Sequence, residues 1–259
     1  MNTFFPDNSL IIEKNDNTMS LNDIDKTCLN FINDNTCIVN FPNGLVNLKN
    51  DTSNGKSKFI NSCYYDNYNL LLNFPNTLNQ IDNDVFTINI KIIDIKFPDS
   101  ITRIKSDNFI NCSYMTNLIL PPLLKQIDSG CFTYINNIQS LVIPNGITKI
   151  DNFSFQYCPN LTDLSLPDSL IQIGWNCFMD ASIYDLSFPI NMDKIGYNCF
   201  NHLKRATLTY DFLLHSYDKF KSVNVFIIKN AINYIQQIYY LFPNSNITTN
   251  GMYVFVTII

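Results

Sequence analysis

Only two histidines occur in this sequence, which leaves little from which to build a histidine-dependent catalytic centre or a mixed-ligand metal site. Basic residues are also few. Seventeen Lys and Arg against twenty-two Asp and Glu give a formal charge of -5 and a pI near 4.9. Nucleic-acid affinity rests on clustered cations neutralising phosphates, so a nucleic-acid partner is not expected. No apolar run approaches the roughly 20 residues needed to cross a bilayer, and the apolar stretch Met252 to Ile259 is far too short, so no membrane span is expected. The opening residues Met1 to Asp7 lack a basic segment followed by an apolar core, the mark of a secretory signal; the compartment stays open, with an intracellular one favoured. Glycine is scarce, at seven residues, while asparagine and isoleucine are abundant, a bias that coding composition alone produces. The sequons at Asn50, Asn111, Asn152, Asn160 and Asn246 therefore carry little weight.

What the chain does have is a period. An aromatic or aliphatic residue followed by proline recurs at Phe41-Pro42, Phe74-Pro75, Phe97-Pro98, Leu120-Pro121, Ile143-Pro144, Leu166-Pro167 and Phe188-Pro189, with prolines 33, 23, 23, 23, 23 and 22 residues apart. Three residues after each proline stands an aliphatic side chain (Leu45, Leu78, Ile101, Leu124, Ile147, Leu170, Met192). Six after it stands another (Leu48, Ile81, Ile104, Ile127, Ile150, Ile173, Ile195). Phenylalanine follows at 86, 109, 132, 155, 178 and 200. The segment from Ile24 to Leu29 has the form of Ile127 to Phe132, which starts an earlier unit near Thr18. The long 33-residue unit resolves if Phe59 to Tyr64 is the same segment, with an insertion at 49–58.

The clearest copy, Ile143-Pro144-Asn145-Gly146-Ile147-Thr148-Lys149-Ile150-Asp151 continuing through Phe155, Cys158, Leu161 and Leu164, resembles the BspA-type leucine-rich repeat. The resemblance spans about 18–210. It departs from the family at Cys131, Cys177 and Cys199, where alanine usually precedes the phenylalanine, and at the 49–58 insertion. It implies a repeat solenoid, mainly β, with short parallel strands stacked in a ladder. BspA-like proteins are often associated with cell surfaces and attachment, and they occur in large DNA viruses and protists, sources that the composition suits.

The residues themselves support the same architecture. Each unit is read as holding one short strand with alternating inward side chains, such as Leu141-Val142-Ile143 or Leu164-Ser165-Leu166. One unit has no core of its own; stacking Leu141 between Leu118 and Leu164 supplies one. Proline ends the strand, because it cannot donate to the ladder. Residues 1–17 are expected to form an N-terminal cap segment, 18–210 a solenoid of about eight units, and 211–259 an α/β C-terminal cap. In that cap, strands are expected at Val223 to Ile228 and Met252 to Ile258, and one helix from Ile228 to Phe242.

Eight cysteines invite disulfides or zinc, yet Cys28, Cys63, Cys131, Cys177 and Cys199 all precede the repeat's aromatic or leucine, and Cys112 and Cys158 follow it by three. That periodicity points to small buried fillers with free thiols, and no C-x-x-C pair is present; no metal and no cofactor are expected. His202 falls in a repeat turn and His215 beside Ser216, and adjacency in sequence cannot aim an imidazole at a hydroxyl. Gly55-Lys56-Ser57 lacks the upstream glycine of a phosphate-binding loop, since Asn50 stands there. No catalytic residues emerge.

The outward strand positions are the candidate binding residues, because stacking aligns them into rows. One row is Asp94, Asn117, Ser140, Asp163 and Asp185; the next is Lys96, Ile119, Val142, Ser165 and Ser187. A shallow face, polar with an acidic bias and apolar at Ile119 and Val142, suits a protein or an extended peptide better than an enclosed metabolite. The function expected is a non-catalytic protein-binding scaffold, with surface adhesion as the alternative and an enzyme last.

Overall fold

The computed structural model describes residues 18–20, 29–33, 35–49, 69–86 and 91–259. Along this chain a unit of 22 or 23 residues makes one turn of a solenoid, and most turns carry two strands where the sequence suggested one. The longer strands are β3 (Thr36–Asn40), β5 (Asn69–Asn73), β7 (Ile92–Lys96), β10 (Ser140–Val142), β12 (Asp163–Ser165), β14 (Asp185–Ser187) and β16 (Arg205–Thr209). The second set is β1 (Thr18–Ser20), β4 (Asn47–Lys49), β6 (Gln80–Ile81), β8 (Arg103–Ile104), β9 (Gln126–Ile127), β11 (Lys149–Ile150), β13 (Gln172–Ile173) and β15 (Lys194–Ile195).

The second set forms one parallel sheet in the order β1-β4-β6-β8-β9-β11-β13-β15. Its rungs are Leu48, Ile81, Ile104, Ile127, Ile150, Ile173 and Ile195, each paired with the next and each buried. A two-residue strand offers one inward side chain and no alternation, so the sequence shows this sheet only as a repeated isoleucine. In the first unit Met19 pairs with Leu48, five residues before Ile24, the position the sequence pattern had matched to Leu48. Leu29, read there as the phenylalanine equivalent, instead opens β2 (Leu29–Asn33), which pairs antiparallel with β3. The 49–58 insertion beyond Lys49, the 59–64 segment, Cys28, Cys63 and the 1–17 segment lie outside the described residues.

Among the described residues, the third side of a turn has no strand. Phe109, Phe132, Phe153, Tyr134 and Tyr157 take left-handed backbone angles (φ 57 to 62°), a conformation that costs a non-glycine residue about 1–2 kcal/mol. Hydrogen bonds from each turn to the next hold them there: Asn111 N–H to Thr133 O at 2.7 Å, Tyr134 to Gln156 at 2.9 Å, Tyr157 to Met179 at 2.8 Å. The rings of Phe86, Phe109, Phe132, Phe155, Phe178 and Phe200 stack face to face at 4.8 to 5.5 Å, all buried. Aromatic pairing at such spacing adds stabilisation beyond burial alone.

The residue before each of these phenylalanines except Phe86, which follows Val85, is small and able to hydrogen-bond, and the structure shows why. Asn108 accepts from Val85 and Phe86 N–H at 3.1 and 3.2 Å and donates to the carbonyls of Asp82 and Lys105 at 2.7 Å each. Ser154 Oγ donates to Asp151 O at 2.7 Å. Cys131 Sγ sits 3.1 Å from Lys105 O and Cys199 Sγ 2.8 Å from Gly174 O. These cysteines are thus more than apolar fillers: each thiol is a weak donor to a turn carbonyl that no strand satisfies. All six described cysteines are buried and free of disulfides.

Gly174 marks a close approach between the backbones of neighbouring turns. A Cβ there would lie 2.5 Å from Asn152 N and 2.7 Å from Asp151 C, both main-chain atoms with no room to yield. Gly174→Ala is expected to lower stability by about 1–3 kcal/mol, measured by denaturant unfolding, since overpacking forces neighbouring backbone apart.

Beyond Thr209 the chain forms helix α1 (Tyr210–Ser216), whose Phe212 N–H is capped by Thr209 Oγ1, and returns as β17 (Val225–Lys229), parallel to β16. The helical spacing over 228–242 is realised only in its second half, as a 3-10 turn at Ile232–Tyr234 and α2 (Ile235–Leu241); the chain beyond Thr209 therefore carries α2 besides α1, where the sequence suggests one helix. An antiparallel hairpin of β18 (Asn246–Asn250) and β19 (Tyr253–Thr257) then pairs onto β17. One apolar cluster runs without a break from Leu29 to Val256.

Candidate functional site

All ten outward positions singled out from the sequence are solvent-exposed: Asp94, Lys96, Asn117, Ile119, Ser140, Val142, Asp163, Ser165, Asp185 and Ser187. The reason is the period-2 alternation of the strands, which buries Ile95, Leu141, Leu164 and Leu186 between them. The rows come together in three blocks. Leu71 and Asn73 face Asp94 and Lys96; Ser140 and Val142 face Asp163 and Ser165; Asp185 and Ser187 face Arg205 and Thr207. Residues Asn117 to Ile119 keep the alternation, with Leu118 buried, yet form no strand, so there the row lacks ladder hydrogen bonds.

The last block reaches into the C-terminal region. Thr207 pairs with Ile227, Ile227 with Phe255 and Phe255 with Thr248, so the row containing Ser187 runs on to the end of the sheet. These positions were missed because the period fails there. Two cations also reach the face. Arg205 Nη1 lies 3.2 Å from Asp185 Oδ2, and Lys229 Nζ donates to Ser187 Oγ at 3.0 Å. Such an exposed pair is worth at most about 1 kcal/mol, but it cancels part of the acidic bias. Asp163 has no ion-pair partner among the described residues, whereas Ile119 and Val142 are 69% and 67% exposed.

The opposite face, over the sheet of short strands, is different. Arg103 pairs with Asp128 at 3.2 Å, Lys105 with Asp82 at 2.5 Å and Lys149 with Asp151 at 2.7 Å; Gln126 donates to Asp128 and Gln80 to Asp82. Its charges are satisfied within the chain. Trp175, 60% exposed, stands on the turn beside this sheet, and no motif or period singles it out.

Neither histidine is hydrogen-bonded to a described hydroxyl or thiol. His202 is exposed, edge-on to Tyr184 at 6.4 Å. His215 Nδ1 contacts Asp211 O at 2.7 Å, while the neighbouring Ser216 hydroxyl is buried and donates to Phe212 O. Burial pushes the thiols of Cys112, Cys131, Cys158 and Cys199 up to about 12, which disfavours the nucleophilic thiolate. Among the described residues no group of three or more His, Cys, Asp or Glu is placed to hold a metal ion, and no helix is long and apolar enough to cross a membrane.

Stacked 22- to 23-residue turns with an isoleucine ladder and a phenylalanine stack define a leucine-rich-repeat solenoid. The BspA type leucine rich repeat region matches the chain in six copies, over 11–114, 43–159, 79–208 and 125–256, and the chain belongs to that family. Similar solved structures include a leucine-rich repeat protein from Bacteroides ovatus, at TM-score 0.45 and 14% identity over 66% of this chain and 55% of that one. The T. pallidum leucine-rich repeat protein gives 0.43 and 24% over 53% and 59%. A leucine-rich cell surface protein from Faecalibacterium prausnitzii gives 0.41 and 20% over 70% and 52%. The chain thus matches little more than half the length of each. No curated protein matches it in sequence.

Proposed function

We propose that this chain is a non-catalytic scaffold that binds a protein or an extended peptide across its longer-strand face. The observation that carries this reading is the asymmetry between the two sheet faces. One is laced with internal ion pairs; the other carries among the described residues only the Arg205–Asp185 pair, and presents Ile119, Val142 and an Asp163 with no ion-pair partner among those residues. A partner that covers the first must break pairs already made, whereas on the second it gains apolar burial at the centre and a charge contact at the rim. The row geometry favours a segment lying along the stack, where equivalent positions recur every ~4.8 Å.

The test is capture from an extract of the source cells on immobilised chain, with face variants as the arbiter. Val142→Lys combined with Asp163→Lys is expected to abolish retention while leaving the unfolding free energy within about 0.5 kcal/mol of the parent, since both side chains are exposed. Gln172→Lys, on the ion-paired face, is expected to retain the partner. Loss with Gln172→Lys and retention with the double variant would place the interface on the other face and overturn the proposal.

A further inference from the structure

Strand β18 ends its sheet, with order β14-β16-β17-β19-β18, and no other described strand lies beside it. Its backbone polarity follows from its neighbours. Ile258 N–H donates to Asn224 O on the β17 side at 2.8 Å, so the even-numbered residues of β19 direct their backbone groups to β17 and the odd-numbered ones to β18. Tyr253, Phe255 and Thr257 face Asn250, Thr248 and Asn246, which therefore spend their N–H and C=O groups inside the hairpin. Ile247 and Thr249 direct theirs outwards. Gly251, at φ +60°, supplies the first position of the tight two-residue turn that fixes this register.

Natural sheets blunt such an edge with charge, proline or a bulge. Asn-Ile-Thr-Thr-Asn has none of these, and four of its five residues are exposed. The edge at the other end of the solenoid is treated differently: the β2–β3 pairing shifts register between Phe31 and Asn33. That irregularity spoils β2 as a partner for β18 and disfavours head-to-tail growth into filaments.

We infer that β18 is a dimerisation edge that pairs antiparallel with β18 of a second copy of this chain. An antiparallel edge can meet itself about a two-fold axis, here with Thr248 facing Thr248 of the second copy. Ile247 then exchanges N–H and C=O with Thr249 of that copy, and Thr249 with its Ile247, making four backbone hydrogen bonds between uncharged strands with no like charges opposed. The row Ser187, Thr207, Ile227, Phe255, Thr248 becomes continuous across both copies. The dimer stands independently of what the longer-strand face binds.

Light-scattering mass in size-exclusion chromatography, over a concentration series of the full chain, tests this. The expected result is a reversible dimer. Thr249→Pro removes only an N–H that points out of the hairpin and is expected to give a monomer with an unchanged circular dichroism spectrum. Thr248→Lys, which opposes two ammonium groups on the axis, is expected to do the same should the proline variant fail to fold. Thr248→Cys is expected to give a covalent dimer on mild oxidation, absent from the parent, because Cα atoms about 4.5 Å apart in such a pair lie within disulfide reach. A monomer at every concentration overturns the inference. So does a series of higher oligomers, or a dimer that survives both Thr249→Pro and Thr248→Lys and leaves Thr248→Cys unlinked.

Discussion

Phe155→Ala is expected to lower stability by about 3–5 kcal/mol, the range for removing a large aromatic from a core, and the unfolding midpoint by on the order of 10 °C. Phe155 is fully buried, and its ring lies 5.5 Å from Phe132 and 5.3 Å from Phe178. Truncation therefore opens a cavity in the middle of a stack and removes two ring contacts at once. Neither neighbour can move in to fill it, because each is held by its own turn and by the next ring along. In a solenoid each unit is stabilised chiefly by its neighbours, so a central lesion is expected to split one transition into two as the halves decouple. Ile119→Ala, an exposed aliphatic in an outward row, is the matched control and is expected to stay within about 0.5 kcal/mol of the parent. Thermal unfolding followed by circular dichroism reads both. Equal midpoints for the two variants would mean that the phenylalanines do not form the spine.

Alkaline solution is expected to unfold the chain between pH 9 and 12. Burial pushes the thiols of Cys112, Cys131, Cys158 and Cys199 up to about 12 from an ordinary 9.0, and moves Cys177 in the same direction. Below pH 9 both the folded and the unfolded chain keep these protons, so the stability they contribute is fully present. Above it the unfolded chain releases protons that the folded chain retains; the unfolded state binds fewer, and stability falls as pH rises until the folded thiols ionise as well. Each thiol contributes a slope of roughly 1.4 kcal/mol per pH unit in that window, and four together about 5–6, comparable over one unit with the whole stability of many domains. Cys131→Ser should reduce the slope by one thiol's share, roughly 1.4 kcal/mol per pH unit, while keeping a donor at Lys105 O, the task that Ser154 performs one unit on. Denaturant midpoints measured from pH 8 to 10.5 check it. A flat profile would show that these thiols are wet.

Much of the molecule was legible because its chemistry repeats. Ile150 and Ile173 occupy one side of one ladder since nothing but an aliphatic side chain fits an interior shared by every turn, and the period announces that directly. The outward rows were equally legible, because alternation fixes exposure once the strand is located. Other features left no such trace. Strands of two residues have no period to detect. Phe109, Phe132 and Phe153 sit in left-handed backbone although phenylalanine has no preference for it, because hydrogen bonds between turns decide the conformation. Strand β18 is polar at nearly every position and has no apolar alternation to mark it; its pairing with β19 makes it a strand. In the first unit several aliphatic residues stand close together, and the pattern chose Ile24 where pairing chooses Met19. Arg205 and Lys229 come to the longer-strand face from turns beyond the regular period, where only the folded sheet brings them beside Asp185 and Ser187.

The distance between spin labels attached at Gln80 and Lys194 by a non-thiol chemistry tests the stacking itself. These residues occupy the same outward position in β6 and β15, five strand steps apart through Arg103, Gln126, Lys149 and Gln172. At about 4.8 Å per step the labels should show a narrow distribution centred near 24 Å, broadened only by their own linkers. A broad distribution, or one centred well beyond about 40 Å, would mean that the copies are not laid side by side in register.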